Sequence, residues 1–195
     1  MKKTIVISLV LLSIFLFAGC TKSTTPTTTT STTSTTTTTA AAEFTINSSA
    51  FTNGSRIPTR NACTSVDPVN ALDYSIPLSW FHTPAGTFSF VITMVDTTAS
   101  YTHWLVTNIP GGTTSLVENA SSTGLPAGST EVQNDLSSGQ YYGPAPPAGD
   151  PAHNYVTTIY ALNVASITAS NYAEILAAIS GHVIASANIT GTFSQ

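Results

Sequence analysis

The chain has 195 residues, 42% of them hydrophobic and only 7% charged, against roughly 25% charged in ordinary soluble proteins. The net charge is −4, and no Lys or Arg follows Arg60. A surface so poor in cations cannot neutralise a phosphate backbone, which argues against nucleic acid as a partner.

The first stretch is an export signal. Met1-Lys2-Lys3 is a basic start, Thr4 to Phe17 is apolar, and Ala18-Gly19-Cys20 ends it. The run is too short for a membrane-spanning helix and fits a signal peptide over residues 1–19. A cysteine directly after small residues resembles the bacterial lipobox, in which Cys20 becomes the lipidated first residue. Ordinary signal cleavage, giving a secreted protein, is the alternative. Residues 20–43 are mostly threonine and cannot bury a core, so they read as a disordered tether. A flexible coil of that length spans roughly 25–30 Å. Loss of Lys2 and Lys3 leaves Lys22, Arg56 and Arg60 against nine acidic residues. With Cys20 lipidated, Cys63 has no disulfide partner and reads as a small buried hydrophobe. Zinc binding through cysteine is excluded by number.

The folded part is residues 44–195, the length of one domain. Phe44 to Phe51 reads as a strand running into an Asn53-Gly54 turn. Ile76 to Trp80 is short and extended, and Pro77 suggests a sheet edge. After a turn over Thr83 to Thr87, Phe88 to Val95 is apolar on both faces, with Phe88, Phe90, Ile92 and Met94 on one. It reads as a central strand. His103 to Ile109 is a second, stopped by Pro110-Gly111-Gly112, and Thr113 to Glu131 reads as a long loop. Gly139 to Pro151 is rich in proline and glycine and cannot be a central strand. It leads through His153 into a buried strand, Tyr155 to Leu162. Ser170 is placed to cap a helix through Ile179 that Gly181 ends, and His182 to Phe193 returns as a strand. Many short strands, one short helix and no βαβ rhythm predict a mainly β fold with two antiparallel sheets.

Asp96 closes one predicted strand, His103 opens the next and His153 opens a third. As hairpin neighbours, Asp96 and His103 would lie at the same end of the sheet, within side-chain reach. One carboxylate and two imidazoles at a pocket mouth fit a metal site, an acid/base site or an anion site, or hydrogen bonds that serve only the fold. Spacing alone does not decide among them.

The order of motifs is more specific. Asp96 is followed by His103-Trp104-Leu105-Val106-Thr107-Asn108-Ile109-Pro110 and Asn134-Asp135. Then come Tyr142-Gly143-Pro144-Ala145-Pro146-Pro147-Ala148-Gly149, His153-Asn154-Tyr155, Tyr160-Ala161-Leu162 and Gly181-His182-Val183. This series resembles the phosphatidylethanolamine-binding protein (PEBP) family, in its bacterial branch of Raf-kinase-inhibitor-like proteins, over nearly all of Phe44 to Phe193. The resemblance implies an antiparallel β-sandwich of the PEBP type. It also implies a small pocket for an anion or a phosphoryl or phospholipid headgroup, with no cofactor and no catalytic residue. Carried over, the ligand-binding positions are Asp96, His103, Gly143, Pro144, Pro146, Pro147, His153 and Tyr155. The family also suggests a protein partner to modulate or inhibit, and a homodimer as one arrangement. The export signal argues against a cytoplasmic kinase as that partner.

The departures are specific. The family's D-P-D-A-P reads Asp96-Thr97-Thr98-Ala99-Ser100, its H-R-Y reads His153-Asn154-Tyr155, and the cysteine of G-P-C-P-P is Ala145. Any anion would then be held by histidine, Tyr155 and backbone N–H groups, with affinity rising below about pH 6.5 as a histidine takes a proton. The expectation is an extracytoplasmic binding protein, membrane-associated through its lipid alone. A metal-assisted hydrolase built on Asp96, His103 and His153, and a structural surface lipoprotein, are the alternatives. No Gly-x-Ser-x-Gly, phosphate loop or His-Glu-x-x-His is present.

Overall fold

A computed structural model describes residues 42–195. The predicted signal segment, Cys20 and nearly all of the tether lie outside the described residues. Eight strands are formed: β1 (Thr45–Asn47), β2 (Leu78–Phe81), β3 (Ser89–Asp96), β4 (Tyr101–Pro110), β5 (Ser115–Leu116), β6 (Thr130–Glu131), β7 (His153–Leu162) and β8 (Val183–Phe193). Two helices join them, α1 (Ala120–Thr123) and α2 (Tyr172–Ile179). The strands make a three-stranded sheet, β1-β2-β5, and a five-stranded sheet, β6-β4-β3-β7-β8. Every pairing within them is antiparallel. This is the two-sheet β architecture that the strand pattern predicts. Among the described residues, no helix is long and apolar enough to cross a membrane.

Strand β3 shows why the larger sheet is covered on both sides. Phe90, Ile92 and Met94 enter the main core with Trp80, Trp104, Ile159 and Phe193, whereas Val91 joins Leu105, Leu162, Ile175 and Ile179 beneath α2. Successive residues of a strand face opposite ways, so a strand apolar on both faces needs a layer on each.

Several local expectations are corrected. The first strand is three residues long and does not reach Phe51. Pro77 does not mark an edge: it precedes β2, the middle strand of its sheet, at a point where its missing N–H removes no ladder bond. Phe88 is exposed because β3 begins at Ser89, beyond the end of the core. The stretch from Thr113 to Glu131 is not one loop, since it contains β5, α1 and β6. The cap of α2 is Asn171, whose side chain accepts from the Glu174 N–H (3.0 Å). Glu174 in turn accepts from the Ser170 N–H (2.8 Å) and from Asn171 Nδ2 (2.9 Å), so the cap lies one residue after the predicted one.

Candidate functional site

Strands β3, β4 and β7 end together at one pole of the domain, where a cavity of about 290 Å³ opens. Asp96, His103, His153 and Tyr155 line it from the strands, and Pro146 and Pro147 from the proline-rich loop. The structure thus brings six of the eight predicted positions together.

The other two, Gly143 and Pro144, do not line it. A Cβ on Gly143 would sit 2.5 Å from the backbone of residues 61–63, so only glycine fits this crossing. Its N–H donates to Asp73 Oδ1 (2.6 Å), and the Pro144 carbonyl accepts from the Cys63 N–H (3.1 Å). This pair fastens the proline loop to the domain. Burial raises the Asp73 carboxyl, opposed by the Gly143 hydrogen bond. Cys63 itself is buried.

His103 does not open its strand; it sits inside β4 as the extra residue of a β-bulge. Met94 pairs with Trp104 and Val95 with Thr102, which leaves His103 without a partner residue on β3. A bulge re-aims a side chain and resets the alternation. Tyr101 and His103 therefore face the cavity while the adjacent Trp104 enters the main core. The bulge is held from outside the sheet. The His103 carbonyl accepts from Asn134 Nδ2 (3.0 Å) and from the Tyr142 N–H (3.1 Å). Asp135 accepts from the Thr102 N–H (2.7 Å). Asn134-Asp135 thus supports the site without lining it.

The hairpin neighbours Asp96 and His103 do share one end of the sheet, but the hydrogen bond from Asp96 goes elsewhere. Asp96 Oδ2 lies 2.6 Å from Nδ1 of His153. Its Oδ1 accepts from the N–H groups of Thr98 (2.8 Å) and Ala99 (3.1 Å), closing the β3–β4 turn. His153 therefore carries its proton on Nδ1 toward Asp96 and turns Nε2 to the mouth, where Asp150 Oδ2 stands 3.8 Å away. His103 Nδ1 donates to the Tyr142 carbonyl (2.7 Å), which leaves Nε2 as the acceptor of the neutral ring. Burial holds the His103 pKa below the usual histidine value, against hydrogen bonding to Tyr142 and the charges of Asp96 and Asp135.

Three tyrosines surround His103. Tyr142 stacks on it (5.4 Å, 11°), and Tyr101 and Tyr155 meet it edge-on (5.4 and 5.0 Å). Burial pushes the Tyr142 phenol up to about 12, with the Cys63 thiol adding to it. Burial, then the Asp96 charge, raises Tyr155 further, so its hydroxyl is a donor at any ordinary pH. That hydroxyl lies against the Asp96 carboxylate, buried, without a well-formed hydrogen bond. Neither Tyr101 nor Tyr142 is among the predicted lining positions; Tyr101 stands two residues before His103, an alternation that could have found it, and Tyr142 opens the proline-rich motif. The domain's two arginines are elsewhere: Arg56 lies over the Phe193 ring and Arg60 pairs with Glu118. Among the described residues, no group of three His, Cys, Asp or Glu side chains is placed to hold a metal ion.

Two antiparallel sheets with a polar and aromatic pocket at one pole define the class of β domain to which the chain belongs. The phosphatidylethanolamine-binding protein family matches residues 47–194, and the chain belongs to that family. It is 33% identical over 156 residues to a UPF0098 protein of Methanothermobacter thermautotrophicus, covering 77% of this chain and 98% of the relative. It is 34% identical over 128 residues to LppC of Mycobacterium tuberculosis, named as a candidate lipoprotein, covering 64% of this chain and 58% of that one. The crystal structure of Escherichia coli YbcL, described as a new member of the mammalian PEBP family, superposes with a TM-score of 0.72 at 29% identity. That match covers 79% of this chain and 99% of YbcL.

Proposed function

We propose that the protein is an extracytoplasmic binding module, lipid-anchored through Cys20, that holds a small anion or phosphoryl headgroup between His153, His103 and Tyr155. The observation that carries this reading is the Tyr155 hydroxyl, a buried donor beside the Asp96 carboxylate that makes no well-formed hydrogen bond. A buried polar group left unpaired costs about 1–3 kcal/mol, which a ligand oxygen would recover. His153 lines the same cavity, its Nδ1 backed by the Asp96 carboxylate at 2.6 Å. Anion affinity rises with acidity because a protonated imidazole donates a charge-assisted bond where the neutral ring offers a lone pair.

Binding fits this pocket better than catalysis. Its lining has no serine, threonine or cysteine to act as a nucleophile. The Asp96 carboxylate is committed to His153 and to two backbone N–H groups, so it is not free to act as a base. The test is calorimetric titration with inorganic phosphate and phosphoethanolamine at pH 5.5 and 8, using the wild type and His153→Ala. Binding that is tighter at pH 5.5 and lost in the variant is expected. Absence of binding by either ligand at both pH values overturns the reading.

A further inference from the structure

The pole opposite the pocket is apolar and exposed. β3 runs from Asp96 at the pocket back to Ser89, roughly 23 Å of extended chain. Phe88 stands just beyond it and is 62% exposed; Phe81, before the same turn, is 49% exposed. These are the two exposed phenylalanines among the described residues. Val183 and Ile184 join them. The Phe88 N–H donates to the Leu162 carbonyl (2.8 Å), and Leu162 pairs with Val183. Ile184 is the extra residue of a bulge in β8, and a Cβ on Gly86 would lie 4.0 Å from its Cδ1.

The turn that presents the two phenylalanines is held firmly. A Cβ on Gly111 would come within 2.6 Å of the Thr87 carbonyl, so the 110–113 turn lies directly against it. The Gly111 N–H donates to the Phe88 carbonyl (3.0 Å). The exposed rings are therefore a fixed feature of the pole.

Two further observations say what covers this pole. The preceding segment of the chain joins the domain here: the Glu43 carbonyl meets His82 Nδ1 at 3.0 Å, next to Phe81. The pole is also nearly free of charge. Residues 81–89, 109–113 and 182–187 contain no Asp, Glu, Lys or Arg, and the exposed Glu43 is the charged side chain beside them. Asp96, Asp135 and Asp150 are all at the pocket pole.

We propose that this pole docks on the lipid surface. Phe81, Phe88, Val183 and Ile184 enter the interface, and the pocket faces away from it. The inference rests on the lipid-anchor reading, because the tether brings this end to the membrane. Aromatic and aliphatic side chains gain by leaving water at such an interface, and three carboxylates at the far pole, Asp96, Asp135 and Asp150, against Glu43 alone here, disfavour an inverted domain over anionic lipid.

The test uses vesicles of phosphatidylcholine and phosphatidylglycerol. Hydrogen exchange in the lipidated chain on vesicles is compared with that of the processed chain, residues 20–195, carrying Cys20→Ser, free in solution. Slowed exchange at residues 81–88 and 183–187, with none at 97–103 or 145–153, is expected. Unchanged exchange at the first set, or slowing at the second, overturns the proposal. In a second arm, vesicle partitioning of the Cys20→Ser chain falls by roughly tenfold on adding Phe81→Ser and Phe88→Ser, with thermal melting confirming that the variant is folded. Equal partitioning also overturns it. The mass of the N-terminal peptide from cells reads the anchor separately: an unacylated Cys20 ends the tether reading and leaves the second arm to decide on the surface.

Discussion

Asp96 Oδ2 and His153 Nδ1 lie 2.6 Å apart, with both side chains nearly sealed from solvent. Breaking such a pair from one side leaves a buried polar group unmatched, at about 3–5 kcal/mol. Asp96→Ala also removes the acceptor that closes the β3–β4 turn. It is expected to lower the melting temperature by roughly 10 °C. Asp96→Asn keeps an acceptor for the Thr98 and Ala99 N–H groups and should lose only about 1–2 kcal/mol. Urea unfolding of both variants measures the difference, and equal losses would show that the turn contributes nothing.

A second expectation concerns pH. Burial depresses the His103 pKa in the folded domain, whereas in the unfolded chain it titrates near about 6.5. Between those two values the unfolded chain binds the extra proton. Stability from this group is therefore full above about pH 6.5 and falls as pH drops toward the folded value. His103→Gln can still donate to the Tyr142 carbonyl but does not titrate, so its urea midpoint should change less between pH 7.5 and 5. Phosphate beside His103 favours the charged ring, so wild type should regain part of its acid loss when phosphate is added. A wild-type profile no steeper than that of the variant would remove His103 as the responsible group.

The bulge gives the third. Asn134 donates to the carbonyls of His103 (3.0 Å) and Gln140 (2.9 Å) and accepts from the N–H groups of Leu136 and Ser138. Asn134→Ala orphans buried backbone groups at the residue that faces the ligand space. A loss of about 2–3 kcal/mol is expected, together with broadening of the His103 ring signals in NMR spectra. A loss below about 0.5 kcal/mol would mean that the bulge holds without this clamp.

These variants also show what could be read in advance. The period-two pattern of Phe90, Ile92 and Met94 against Val91 placed β3 at the centre, because packing on both faces leaves its mark in residue type. The order of Asp96, His103 and His153 placed three side chains at one pole. Which histidine the acid meets was hidden, because that depends on a one-residue slip between β3 and β4 that alternation alone cannot reveal. Gly143 and Pro144 look like pocket wall in a motif string. They are instead a fastening to Asp73 and Cys63, contacts about 70 to 80 residues distant in sequence. Asn171 replaced Ser170 as cap because both are good cap residues in adjacent positions, and only the position of Glu174 in the folded helix selects between them.

Gly143 offers a direct check on that fastening. Its Cα faces backbone atoms of residues 61–63, and an added methyl would lie 2.5 Å from three of them. Backbone cannot yield as a flexible side chain does, so Gly143→Ala should cost about 1–3 kcal/mol. It should also displace the Pro146-Pro147 wall, weakening phosphate binding although residue 143 does not line the cavity. Calorimetry and denaturation of the same variant test both, and full retention of each would show that the loop is free to shift.

The sharpest expectation separates stability from binding at one atom. The Tyr155 ring packs in the core and against His103, while its hydroxyl is buried without a well-formed hydrogen bond. Tyr155→Phe keeps the ring and removes only the hydroxyl. Elsewhere, loss of a buried hydroxyl usually destabilises; here only a poorly formed contact with Asp96 is lost, and the folded state no longer bears the desolvation of that oxygen. The variant should be equally stable or about 1 kcal/mol more stable. Phosphate and phosphoethanolamine should bind roughly tenfold more weakly, since a ligand oxygen would lose one donor worth about 1.5 kcal/mol. A variant that melts lower, with ligand affinity unchanged, would show that the hydroxyl serves the fold and that the ligand contacts other groups.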